Sequence, residues 1–220
     1  MGGQPNVKIA AVKKIVAEVG SCRHLGSMTF NDLSSPLRYL ETRRSAKPRE
    51  MGGTRPGADE LRGFARIAAR SPDHGKLAPW RFTIIPDDRR AAFKALLERA
   101  FLTANPDART ASVDAACQMA DYDAAMIIIS FEPVDSPKIP LWEQELSCGA
   151  AGMNLCHAAN ASGYVSGWIT GWASTDPTVR RTFCSASGRI AGLMFIGSHA
   201  GAMEERERPD FDRIIQRWDG

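Results

Sequence analysis

Three polar stretches hold the side chains of this sequence best suited to chemistry. The first, Thr42-Arg43-Arg44-Ser45-Ala46-Lys47-Pro48-Arg49, carries four cations and two hydroxyls in eight residues. Arg offers a planar fork of donors that matches phosphate oxygens, Lys a point charge, and Ser45 one further donor. The second is Arg70-Ser71-Pro72-Asp73-His74-Gly75-Lys76, and the third is Glu204-Glu205-Arg206-Glu207-Arg208-Pro209. Singly, such clusters are more often solvated turns. Together they could offer several cations to one dianionic group without a metal.

Other chemistries lack their residues. The chain has no GxSxG, HExxH or P-loop, and no GxGxxG after a strand. His24, His74, His157 and His199 show no metal-ligand spacing, so no metal is expected. His157 reads as a hydrogen-bonded core or interface residue, and Trp168 and Trp172 as core before cofactor platforms. Glu143 and Glu145 precede an apolar helix, where the helix dipole alone explains them, so they receive no catalytic role.

A chain of 220 residues can build one substantial core, and 44% hydrophobic residues is ordinary for a globular protein. A net charge of +3, with basic residues dispersed, points away from nucleic acid. The five cysteines (Cys22, Cys117, Cys148, Cys156 and Cys184) are odd in number, widely spaced and without CxxC. They read as free thiols of a cytoplasmic protein, not as a disulfide framework or zinc site. No apolar run is long enough to span a bilayer. Residues 7–19 have near-helical apolar spacing, but Leu25-Gly26-Ser27-Met28 resembles a cloning junction. Residues 1–27 are therefore expected to be a cloning-derived leader or tag, and residues 28–220 the functional domain.

The elements that must position these stretches follow from periodicity. Residues 34–41 predict a short helix, and 58–70 a helix with Leu61, Phe64, Ile67 and Ala68 on one face. Residues 79–86 (PWRFTIIP) predict a strand, 87–103 and 110–122 helices, and 124–131 (AAMIIISF) a strand buried on both faces. Residues 142–163 form the longest predicted helix. It is almost uncharged from Leu146 to Ala161 and rich in Gly and Ala, so it is expected to be buried all round, with a second subunit as its natural partner. Residues 164–170 predict a strand. Residues 177–184 predict a helix with Asp176 as N-cap and Pro177 in the first position. Residues 188–197 predict another apolar strand, 198–209 a charged loop, and 210–218 a short closing segment. Four or five strands alternating with helices give an α/β or α+β sandwich around one sheet.

These residues also carry a resemblance. From about Leu37 onward the chain resembles the nitroreductase-like FMN flavoproteins, particularly the small single-domain branch. The match lies in Arg43-Arg44-Ser45, in Arg70-Ser71-Pro72-Asp73-His74 followed by Pro79-Trp80-Arg81-Phe82, in Trp142-Glu143-Gln144-Glu145-Leu146-Ser147-Cys148-Gly149, and in Gly163-Tyr164 with Trp168-Ile169-Thr170-Gly171. It implies an α+β fold, a central mixed sheet flanked by helices, and an intertwined homodimer with FMN at the subunit interface. By the same resemblance Arg43 and Ser45 bind the FMN phosphate and ribityl region, with Arg44 in the same motif and Lys47 as a helper. Arg70, Ser71, Pro72 and His74 approach from the other subunit. Trp168, Ile169 and Thr170 lie by the isoalloxazine, and Arg206 and Arg208 meet the phosphate. Residues 158–163 match a segment sometimes assigned to the nicotinamide cofactor, although a buried helix end is a poor place for a dinucleotide. The sequence departs from the pattern at Ala78, where many relatives have glutamine; Lys76 could replace some of the lost polar contacts.

The function so implied is an FMN-dependent oxidoreductase. It takes hydride from NAD(P)H and reduces nitroaromatic, quinone or similar acceptors by a ping-pong mechanism. No protein side chain is assigned a catalytic role, because flavin N5 carries the chemistry. Two alternatives remain open at this level: a flavin-dependent oxidase or dehydrogenase of an organic substrate, and a non-catalytic flavin-binding protein.

Overall fold

The computed structural model describes residues 29–199 and 201–220. The leader expected at residues 1–27, with its helical stretch at 7–19, lies outside the described residues. The chain divides into two compact units, Met1–Arg43 and Arg44–Gly220.

In the first unit, Ser35 caps helix α1 (Pro36–Thr42): its extended backbone precedes the helix and its hydroxyl accepts from the Arg38 amide. Pro36 follows in the first turn, where its missing N–H costs nothing. At the other end the Thr42 hydroxyl donates to the Arg38 carbonyl at 2.6 Å and accepts from the Asp32 amide at 3.0 Å. Arg43 closes this unit, half-buried.

The second unit is a sheet between two helical layers. Its elements are α2 (Ala58–Ala68), β1 (Trp80–Ile85), α3 (Arg90–Ala104), α4 (Thr110–Cys117), β2 (Ala125–Phe131), α5 (Leu141–Ala161), β3 (Val165–Ile169), α6 (Trp172–Thr175), α7 (Pro177–Phe183), β4 (Arg189–Gly197) and α8 (Phe211–Ile214). The strand order is β1-β2-β4-β3. Every residue of β2 is buried, as its continuous apolar run requires of a central strand. Met126 and Ile128 of β2, with Leu193 and Phe195 of β4, face Phe93, Leu97 and Val179 of α3 and α7. Ile127 and Ile129, with Met194 and Ile196, face Leu61, Phe64, Ala151 and Leu155 of α2 and α5. The period-2 alternation of the strands thus builds both cores at once.

The sheet differs from the expected mixed one: all three pairings are antiparallel. The long helix α5 does return the chain so that β2 and β3 run the same way. However, β4 inserts between them, antiparallel to both, so strands of like direction are never neighbours.

The described residues of this one chain cover α5 only in part. Ala151, Leu155, Cys156 and Ala159 are buried, but Trp142 and Leu146 are 59% and 66% exposed. Half-buried Gly149, Ala150, Met153 and His157 follow along the helix, Met153 packing in part on the core. Asp176 caps α7 as its sequence demands, accepting from the Thr178 and Val179 amides at 2.7 and 2.9 Å. No helix among the described residues is long and apolar enough to cross a membrane.

Candidate cofactor site

The basic stretch opens the second unit and lies along the free edge of the sheet. The Ala46 amide donates to the Ser166 carbonyl of β3 at 3.1 Å, so this segment adds one rung to the edge strand. Gly167 makes the close approach possible: a Cβ there would stand 2.7 Å from the Ala46 carbonyl oxygen and 3.0 Å from Pro48 Cγ. Pro48 then starts a 3-10 turn (Pro48–Glu50), and Met51 enters the core beyond it.

Against this segment the chain returns after β4. Arg44, Ser45, Ala46, Lys47 and Glu50 form one wall of a cleft of about 500 Å³, and His199 with Gly201, Ala202, Met203 and Glu204 forms the other. That volume lies within the range of small-ligand and cofactor sites, roughly 300–1,000 Å³. Arg44 is buried; its Nε donates to the Glu204 carbonyl at 2.7 Å and its Nη1 to the Ser45 carbonyl at 2.9 Å. Lys47 is exposed and bonds Glu50 at 3.1 Å. That bond, helped by the charges of Lys47 and Arg49, holds the Glu50 carboxyl below its ordinary range and so ionised. The His199 side chain is only 5% exposed. Its Nδ1 meets the Gly201 carbonyl at 3.0 Å, and because a carbonyl only accepts, Nδ1 carries the hydrogen.

The second polar stretch belongs to the loop between α2 and β1. The Ser71 hydroxyl donates to the Ala68 carbonyl at 3.0 Å and accepts from Asn154 of α5 at 2.8 Å. The Pro72 carbonyl accepts from the Ser147 hydroxyl, so Ser71 and Pro72 fasten this loop to α5. Arg70 is exposed. His74 Nδ1 lies 2.7 Å from the Glu143 carboxylate, and because a carboxylate only accepts, Nδ1 carries a hydrogen. The loop turns through positive φ at Gly75, Lys76 and Ala78. The Ala78 peptide is gripped on both sides: its N–H donates to Asp73 at 2.8 Å and its carbonyl accepts from Arg81 at 2.9 Å. A left-handed non-glycine residue costs about 1–2 kcal/mol, against about 0.5–1 kcal/mol of extra chain entropy for glycine. Ala78→Gly is therefore expected to be neutral or up to about 1 kcal/mol stabilising in a denaturant titration. A loss above about 0.5 kcal/mol would contradict the reading of strain here.

The remaining predicted site residues separate. Trp168 faces α5, its Nε1 donating to the Ala191 carbonyl at 3.2 Å, whereas Gly167 beside it faces the basic stretch. Ile169 packs on the α3–α7 core and Thr170 is exposed at the strand end. Arg206 and Arg208 lie past the lining residues and are exposed; Arg208 pairs with Glu205 at 2.8 Å. In residues 158–163, Ala158, Ala159 and Asn160 are buried and their carbonyls cap the end of α5. Among the described thiols, burial pushes Cys148 up to about 11 and also raises Cys117 and Cys184, which disfavours their nucleophilic thiolate forms. Sequence reasoning missed Glu50 and His199 as lining residues and Glu143 as the partner of His74. These pairings join segments 149 and 69 positions apart, and no local pattern marks them.

The model of the nitroreductase family matches residues 40–198 of this chain. The chain belongs to the nitroreductase family. Among curated proteins, "Putative NAD(P)H nitroreductase YdjA" of Escherichia coli K12 is 33% identical over 164 residues, covering 74% of this chain and 87% of that protein. A nitroreductase-like family protein from Bacillus cereus superposes with a TM-score of 0.70 at 18% identity, over 89% of this chain and all of the other. A Bacteroides fragilis nitroreductase crystallised with bound FMN gives a TM-score of 0.60 at 22% identity, over 83% and 98% of the two chains. The nitroreductase fold therefore accounts for the α+β arrangement, and the family match includes the basic stretch, the loop at 70–78 and the whole of α5.

Proposed function

We propose that this chain is an FMN-dependent oxidoreductase that takes hydride from NAD(P)H and reduces nitroaromatic, quinone or similar acceptors by a ping-pong mechanism. The observation that carries the reading is the cleft beside β3, where Ser45 and Lys47 stand on one wall with Arg44 between them and the other wall. Its donors suit a phosphate: a hydroxyl, an exposed ammonium and backbone amides at a bend, in a space of about 500 Å³. The names of the E. coli and B. fragilis relatives, one an NAD(P)H nitroreductase and one carrying FMN, agree with it.

In this reading Ser45 and Lys47 hold the phosphate, Lys47 leaving Glu50 to do so, and the late Arg206 and Arg208 add to the same end. Ile169 and Thr170 border the ring system at the end of β3. FMN supplies the hydride-accepting and electron-donating centre, which is why the protein needs no acid–base dyad of its own. The exposed apolar side chains Trp142 and Leu146 of α5 support a homodimer. Across that dimer Arg70 and His74 would reach the partner's cofactor, with Glu143 holding the His74 ring in one orientation. Cys117 and Cys148, buried and outside any disulfide among the described residues, fit a cytoplasmic location.

Anaerobic titration of the FMN-loaded protein with NADH and NADPH tests this. The visible flavin band is expected to bleach with at least one of them and to return on adding a quinone or nitroaromatic. No bleaching with either nicotinamide would overturn the reading. Bleaching by an organic substrate alone would favour a dehydrogenase on the same fold.

A further inference from the structure

Arg44 sits in the basic stretch, and two of its bonds run to protein backbone. Nε joins the Glu204 carbonyl across 160 positions of sequence, and Nη1 joins the carbonyl of the adjacent Ser45. The residue is 8% exposed, so these bonds form largely out of water, where a charged donor to a carbonyl is strong. Resting on the FMN reading above, we propose that Arg44 is a positioning residue: it ties the strap at 201–204 to the basic stretch and so holds the two walls of the cleft at phosphate-binding distance.

The strap needs such a tie. Its start is pinned separately, by the Gly52 amide on the Ser198 carbonyl at 3.0 Å and the Ser198 hydroxyl on the Thr54 carbonyl at 2.9 Å. His199 bends back on Gly201 and faces Glu50 at 3.8 Å, and Met203 packs on the core. From Glu204 to Gly220 every residue is exposed. The Arg44 bond to Glu204 thus lies at the point where the strap leaves the body of the unit, just ahead of Arg206 and Arg208. Only a rigid fork can serve two carbonyls on two segments at once. Lys would keep the charge and lose the bridge.

That difference makes the test. Arg44→Lys and Arg44→Gln are compared with the parent by hydrogen exchange of the flavin-free protein and by FMN titration. Amides at 201–205 are expected to exchange roughly tenfold faster or more in both variants, while those of β2 stay protected, which reports an intact fold. FMN binding is expected to weaken roughly ten- to hundredfold in both, Lys giving no rescue. Near-parental FMN affinity in Arg44→Lys with loss only in Arg44→Gln would overturn the proposal, because charge alone would then suffice. Unchanged exchange at 201–205 would overturn it as well. Were the parent protein to bind no FMN, the functional reading would fail, and the exchange measurement would still decide the role of Arg44.

Discussion

Removing the Ser45 hydroxyl and the Lys47 ammonium together is expected to weaken FMN binding roughly hundredfold and to change riboflavin binding by less than about threefold. A hydrogen bond to a charged group contributes about 1.5–3 kcal/mol, and each 1.4 kcal/mol is tenfold in affinity. Lys47 sits at the low end of that range: its side chain is 47% exposed and already paired with Glu50, so it exchanges one carboxylate for a phosphate. Ser45 is better placed, next to buried Arg44 and on the segment that Ala46 fixes to β3. The sum is therefore nearer 3 than 6 kcal/mol. Riboflavin lacks the phosphate and isolates this term, and the gap between the two ligands should shrink as salt screens the exposed Lys47. Calorimetric titration of the Ser45→Ala/Lys47→Ala double variant with both ligands gives the answer. Equal losses for FMN and riboflavin would mean that the two residues shape the cleft without meeting the phosphate.

Gly192→Ala is expected to destabilise the fold by about 2–4 kcal/mol, although it adds a single methyl group. A Cβ at Gly192 would stand 1.9 Å from Trp168 Nε1 and 2.5 Å from its Cδ1. The indole cannot retreat, since on its other side a Cβ at Gly152 of α5 would meet it at 2.6 Å, which shows how closely the helix backbone already approaches. Trp168 must leave its place between β4 and α5, breaking its bond to the Ala191 carbonyl. Overpacking of this kind costs about 1–3 kcal/mol, and the lost indole bond adds about 1 kcal/mol. The check is the urea midpoint of three proteins: Gly192→Ala, Trp168→Leu and the double variant. The double variant should be far more stable than the sum of the two single losses allows, because the smaller side chain removes the clash. Additive losses, or a Gly192→Ala midpoint equal to the parent's, would contradict this packing.

Both predictions rest on features that differ in how far the sequence discloses them. The central strand was legible, because an unbroken apolar run from Ala125 to Ile129 has no other comfortable place than between two helical layers. So was α7, whose Asp176-Pro177 start is a local signal with a local cause. Most of the basic wall of the cleft was legible too, since Arg44, Ser45, Ala46 and Lys47 are contiguous, Glu50 being the exception. The opposite wall was not. It is built from His199 and residues 201–204, which share no motif that marks a site, and it is held by an arginine 160 positions before Glu204. The late arginines 206 and 208 were the visible feature of that region, and they fall just beyond the lining. Trp168 was equally ambiguous: its type fits a flavin platform as well as a core, and only the glycines at 152 and 192 place its indole against α5 and β4. Strand direction was hidden for a similar reason. The insertion of β4 between β2 and β3 depends on pairings between separated strands, up to Ala125 with Ile196, and local periodicity says nothing about them. The apolar length of α5 was plain in the sequence, but which of its faces the chain itself covers was not.

The most direct measurement is the crystal structure of the FMN-loaded protein, read at the position of the phosphorus atom. The expected result is phosphate oxygens within hydrogen-bond distance of the Ser45 hydroxyl and the Lys47 ammonium, with Arg44 still bonded to the Glu204 carbonyl. A phosphate bound away from the 44–47 segment would contradict the assignment of this cleft.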